Sequence, residues 1–168
     1  MAFGTTPAGT ITKEQTLLSI RRLPVAGSTT LTKGEVVELD SGGDLITSPT
    51  SQTVNVTHFV ALETVNNSSG SDGDLDCPVA VPGHFVTVVA DGAIVAGNRV
   101  IISASTAGQV IVAAGDQNLV VGIYWGKEGG TITKAASTPF DESFTDAADF
   151  PPADAANDDV IEIQLVDN

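Results

Sequence analysis

Residues 86–125 read VTVVADGAIVAGNRVIISASTAGQVIVAAGDQNLVVGIYW, and the fold is decided here. Four apolar runs rich in Val and Ile, 86–90, 99–103, 109–113 and 119–125, have the length and composition of strands. Gly92, Gly97, Gly108 and the Gly115–Asp116 pair fall between them, where the chain must reverse. No window carries the 3.6-residue repeat of an amphipathic helix. The stretch predicts four short strands joined by tight turns.

Working outward, an earlier stretch follows the same grammar. Leu31-Thr32-Lys33-Gly34-Glu35-Val36-Val37-Glu38-Leu39 matches Ile94-Val95-Ala96-Gly97-Asn98-Arg99-Val100-Ile101-Ile102. Gly43-Asp44-Leu45-Ile46 matches Gly108-Gln109-Val110-Ile111, and Phe59-Val60-Ala61-Leu62 matches Val120-Val121-Gly122-Ile123. Two copies are too few for a solenoid, which needs at least three stacked units. They suit the two halves of one small barrel or sandwich. The expected fold is therefore all-β, with short Gly-linked strands and an internal two-fold repeat.

The expected organisation is an N-terminal arm over 1–15 and a single domain over 16–168. Within the domain the first unit spans 25–65, a polar linker 66–76, and the second unit 86–134. An acidic excursion, 135–159, leads to a terminal strand at 160–166, where apolar and polar residues alternate. Residues 16–23 read as a strand closed by Pro24, and 54–65 as a long buried strand. Residues 76–81 read as an edge segment, because Pro78 and Pro82 cannot donate to a ladder. A further short strand is expected at 131–134.

A chain of 168 residues is one domain in the simplest reading and buries enough surface to need no staple. The single Cys77 excludes an internal disulfide. No run of 18 apolar residues predicts a membrane span, and residues 1–20 lack the pattern of a signal peptide. Seven basic residues against 21 acidic ones give a net charge of −14. Clustered cations are what phosphate binding requires, so nucleic acid is not an expected partner. Such an acidic excess repels itself in dilute buffer. In molar salt the Debye length falls to about 3 Å and the penalty fades. The composition points to a halophilic setting, with an ordinary acidic protein of a mesophile as the alternative.

The search for chemistry yields little. Asp72, Asp74 and Asp76 have the first spacings of a calcium loop, but Cys77 and Gly83 stand where its Gly and Glu belong. His58 and His84 are the only histidines and lack zinc-site spacing. There is no Gly-x-Ser-x-Gly elbow, Walker loop or dinucleotide fingerprint. No enzyme activity, cofactor or metal is expected. A trimeric all-β nucleotide hydrolase, which fits in size, needs an Arg-bearing C-terminal phosphate clamp, and residues 161–168 contain no Arg.

Gly92-Ala93-Ile94-Val95-Ala96-Gly97-Asn98-Arg99-Val100, then Ala107-Gly108-Gln109-Val110, then Asn118-Leu119-Val120-Val121-Gly122-Ile123, resembles the capsid decoration (cement) proteins of tailed viruses. Residues 31–39 resemble the same motif. The likeness covers about 23–134 and the terminal strand, and rests on turns and apolar positions. The excursion and the linker depart from it.

The resemblance implies a small β-barrel or β-tulip protein with the major capsid protein as partner. It would act as a homotrimer on the outside of an expanded icosahedral shell, without nucleic acid or membrane. A fibre- or turret-type adhesion module is the alternative. The arm residues Ala2, Phe3, Gly4, Thr5, Thr6 and Pro7 are expected to dock on the shell by strand addition. Tyr124, Trp125, Phe140, Phe144 and Phe150 are expected at the self-contact, since interface cores enrich aromatics.

Overall fold

A computed structural model describes residues 8–9, 11–13, 20–50, 56–113, 120–125 and 155–166. The strands are β1 (Ile11–Lys13), β2 (Arg21–Pro24), β3 (Thr29–Leu31), β4 (Val36–Leu39), β5 (Leu45–Thr47), β6 (Phe59–Ala61) and β7 (Val65–Asn67). There follow β8 (Asp76–Ala80), β9 (Phe85–Val89), β10 (Arg99–Ile102), β11 (Val110–Val112), β12 (Val120–Tyr124) and β13 (Val160–Leu165). No helix occurs among the described residues. The expected all-β class is what the chain adopts.

The strands form two main antiparallel sheets and a ribbon. One sheet runs β2-β8-β6-β4-β5, and the other β1-β9-β13-β12-β10-β11. Leaving β1 aside, the two orders are the same when β2, β4, β5, β6 and β8 are matched with β9, β10, β11, β12 and β13. The match extends to single hydrogen bonds. Gly34 N–H donates to Ala61 O at 2.8 Å, and Gly97 N–H to Tyr124 O at 2.7 Å. Asp40 turns the first hairpin by accepting from Gly42 and Asp44 N–H, and Ser103 turns the second by accepting from Ser105 and Thr106 N–H. Each sheet curls until its edges touch at one parallel bridge, Val25 to Leu45 in one and Ala90 to Val110 in the other.

The two units thus build separate curled sheets. One core gathers Val25, Leu31, Val37, Leu45, Ala61, Cys77 and Val79 inside the first. The larger core fills the second with Val86, Val88, Ile102, Tyr124, Ile163 and Leu165, among others. It also includes Val36, Val60 and Ala80, which lie on the outer face of the first sheet. That face sits on the second unit's β10–β11 turn. Val36 N–H donates to Gly108 O at 2.8 Å, and Gly108 N–H to Ser48 O at 3.1 Å.

Several expectations are corrected. The third sequence match is two residues out of register. The shared bonds align Phe59, Val60 and Ala61 with Gly122, Ile123 and Tyr124. A two-residue slip leaves every side chain on the same face, so apolar patterning does not detect it. Residues 54–65 are not one strand: β6 and β7 are separate, and 51–55 lie outside the described residues.

Segment 66–76 is not a free linker. β7 pairs with β3, and the buried Asn67 side chain donates to Val25, Ala26 and Ser71 carbonyls at 2.9–3.2 Å. β8 is an inner strand, not an edge. Leu62 N–H donates to Pro78 O at 2.9 Å, so the proline ring nitrogen faces a point just past the end of β6. It cannot return the bond to Leu62 O, so one ladder donor is given up where the β6–β8 pairing ends.

Residues 1–15 are not wholly an arm, because β1 pairs with β9. The strand expected over 16–23 is β2, with 14–19 outside the described residues. Residues 131–134 also lie outside, as does the excursion as far as 154. Its end is tied down: Ala155 is buried and exchanges backbone hydrogen bonds with Ile94 at 2.8 and 3.1 Å.

Candidate binding surfaces

The expected site residues fall in three places. Ala2, Phe3, Gly4, Thr5, Thr6 and Pro7 lie outside the described residues, as do Phe140, Phe144 and Phe150. Tyr124 is fully buried in the larger core, so it cannot meet a second copy and is corrected to a core residue. It ends β12 facing inward, and the next residue faces outward as strand alternation demands. That residue, Trp125, is 51% exposed, and Val95 is 55% exposed. Both flank the turn at Gly97, whose N–H holds Tyr124 O, so they share one end of the second unit.

The same end of the first unit is covered. A Cβ added to Gly34 would collide with Ala8 Cβ and approach Gly9 N to 2.9 Å. Gly9, at φ +69°, lies so close to Gly34 N and Ala61 O that no side chain fits on it. At Gly97 an added Cβ would meet nothing within 4 Å. What Ala8–Gly9 do for one unit, no described residue does for the other.

Among the described residues, the mouth of the first curled sheet stands open and forms a second surface. It is a groove of about 470 Å³ lined by Arg21 and Leu23 of β2, Leu39 of β4, Phe59 of β6 and Val81 after β8, among others. Leu39 is 38% exposed and Ile20, beside Arg21, 49%. Sequence patterning places these residues on strands but does not show which end of a curled sheet lacks a cover.

A third cluster is polar and internal. Glu38, Ser48 and His58 are 7%, 0% and 4% exposed. Glu38 and His58 lie one step along from the Val37–Phe59 pair, with Oε2 to Nε2 at 3.7 Å. Burial pushes His58 down to about 4, so its imidazole is neutral at pH 7. Burial pushes Glu38 up, and the Ser48 hydroxyl beside it pulls the other way. The residue types resemble a hydrolytic triad, but Ser48 is sealed from solvent and offers no nucleophile to a substrate. The cluster reads as a buried polar contact between β4, β5 and β6.

The carboxylates of the calcium-like spacing are used locally. Asp72 accepts from Gly27 N–H at 2.8 Å, and Asp74 from Ser71 N–H at 2.7 Å. No group of three or more potential metal ligands occurs among the described residues. A scan against protein-family models and searches of curated proteins and of solved structures each found no match.

Proposed function

We propose that this chain is a structural virion protein that binds the outer surface of an icosahedral shell and stabilises its expanded form. What supports the reading is the identity of the residues that carry the sequence resemblance. The string 92–100 and the similar 31–39 supply the turn, the Gly N–H and all or the start of an inner strand, β10 in one unit and β4 in the other. The resemblance therefore lies in the frame of the fold and not in scattered surface positions.

The surfaces suit adhesion. Exposed Trp125 and Val95, and the apolar groove beside Leu39, offer contact area to a partner. On this reading the partner is the major capsid protein, and the arm at Ala2–Pro7 adds to a strand edge of the shell. The experiment is decoration of purified expanded and unexpanded empty shells, read by sedimentation. Binding to expanded shells alone, at a copy number near that of the shell protein, is expected. Absence of binding to both forms, or attachment to host cells instead, refutes the proposal.

A further inference from the structure

The second sheet has six strands and the first has five, and the difference is β1. β1 lies antiparallel on the outer edge of β9, where Gly9 N–H also donates to Thr87 O at 2.6 Å. The counterpart of β9 is β2, and the counterpart of Thr87 is Arg22. Arg22 stands opposite Pro78, whose backbone is turned toward Leu62, so the N–H and C=O of Arg22 point away from β8. Further along this edge Ala26 N–H is taken by Leu45 O, and Pro24 has no N–H. Among the described residues nothing pairs with Arg22 on that side.

The mouth beside this edge is open for a matching reason. In the second unit the counterparts of Arg21, Leu23, Leu39 and Val81 are Val86, Val88, Ile102 and Leu165, all at most 3% exposed. They share a core with Val36, Val60 and Ala80 from the outer face of the first sheet. A Cβ on Gly108 would press on Thr47 and Glu35 at 3.0–3.2 Å, whereas one on its counterpart Gly43 would meet nothing within 4 Å. The corresponding face of a second copy would make a poorer cover. The face of the second sheet that corresponds to Val36, Val60 and Ala80 carries Arg99, Ile123 and Gln164, and two of these are polar.

We infer that the β2 edge and the adjoining mouth bind an extended acidic segment of a partner protein as an added strand, as β9 binds β1. The backbone would pair with Arg22, an apolar side chain would enter between Leu23, Leu39 and Phe59, and a carboxylate would meet Arg21. The last element follows from the sequence. Arg21 replaces a buried Val86 at the equivalent place, in a chain with only seven basic residues. A cation at an apolar mouth selects an acidic partner, and main-chain pairing supplies affinity.

The test uses the full chain, isotope-labelled, with two synthetic peptides: acetyl-Glu-Val-Asp-Val-Glu-Val-amide and its analogue with Lys at every acidic position. Saturable amide shifts at residues 20–23, 39 and 59 are expected with the acidic peptide only. Arg21→Glu should weaken that binding about tenfold and admit the Lys peptide. Arg22→Pro removes the outward N–H without touching the β2–β8 ladder, and should abolish binding while dichroism stays native. Failure of the acidic peptide to saturate overturns the inference. So does equal binding of both peptides, or loss of the vacancy to self-association, seen as the same shifts on concentrating the protein without peptide.

Discussion

At the scale of single residues, the duplication provides internal controls. Gly34 and Gly97 both hold positive φ, +89° and +87°, and both donate to the end of a neighbouring strand. Alanine at either position bears the left-handed strain of about 1–2 kcal/mol. At Gly34 it must also displace Ala8, while at Gly97 there is open space. Gly34→Ala should therefore be the more damaging by urea denaturation, and equal losses would show that Ala8–Gly9 do not press on the turn. His58 carries a pH dependence of definite sign. Its folded pKa, about 4, lies below the ordinary 6.5, so the unfolded chain takes up a proton that the fold refuses. Stability should be unaffected by this group above pH 6.5 and decline as pH falls toward 4. The full loss is on the order of 3 kcal/mol before any offset. The offset comes from Glu38, whose raised pKa makes its ionised form costly. As pH falls through that raised value the cost disappears. Thermal melts from pH 7 to 4 should show the decline, and His58→Leu should flatten it. A slope that survives the substitution assigns it elsewhere. By the same argument Glu38→Gln should raise the melting temperature at pH 7.

At the scale of elements, the legible part of the sequence was what period and glycine placement control. The runs at 86–90, 99–103, 109–113 and 119–125 became β9, β10, β11 and β12, and the alternating tail became β13. The less legible part was pairing. β8 looks like an edge because it contains Pro78, yet it lies inside its sheet because Pro78 falls at the end of the β6–β8 pairing, where it still accepts from Leu62 N–H and only one ladder bond is given up. The polar composition of 66–76 reads as a linker, but Asn67 uses its side-chain donors to close the loop onto three carbonyls, which composition does not register. Tyr124 and Trp125 are adjacent aromatics with opposite fates, fixed by which of them faces inward from β12. The N-terminal residues divide in the same way. Ile11 packs against the larger core and β1 pairs with β9, so residues 11–13 belong to the sheet. Deleting residues 2–7 should leave the melting temperature unchanged and, on the proposed function, remove shell decoration. Deleting residues 2–13 should cost about 1–3 kcal/mol through lost burial and ladder bonds. Equal stability of the two deletions would show that β1 contributes nothing to the fold.

At the scale of the whole molecule, charge and exposed apolar surface set the behaviour. With 21 acidic residues against seven basic ones, screening should stabilise the fold. Asp44 is a local instance: partial burial pushes its carboxyl up, and Asp72 and Asp40 beside it push further. The melting temperature should rise from dilute buffer to molar potassium chloride, by about 2–4 °C for each kcal/mol regained in a chain of this size. A flat or falling curve removes the halophilic argument. Assembly is the last question. On the proposed capsid-binding role, a 17.1 kDa protomer offers little area for clamping several shell subunits, whereas a closed trimer would make its second and third attachments intramolecular. The described surface offers one large aromatic to such a contact, Trp125, with Val95 near it at the end of the second unit that Ala8–Gly9 leave uncovered. Half-exposed, Trp125 can add only about half of the 150–250 Å² that an aromatic buries, so it would anchor a contact and not fill the 1,200–2,000 Å² that a stable interface needs. If the proposed trimer forms, Trp125→Ser should leave the dichroism spectrum native, lower the mass seen by light scattering toward that of the protomer, and reduce occupancy on shells. Tyr124→Ser makes the contrast, because it empties the core, costs about 3–5 kcal/mol and unfolds the chain before assembly is at issue. A Trp125→Ser protein that keeps the mass and occupancy of the parent would move the self-contact away from this end of the second unit.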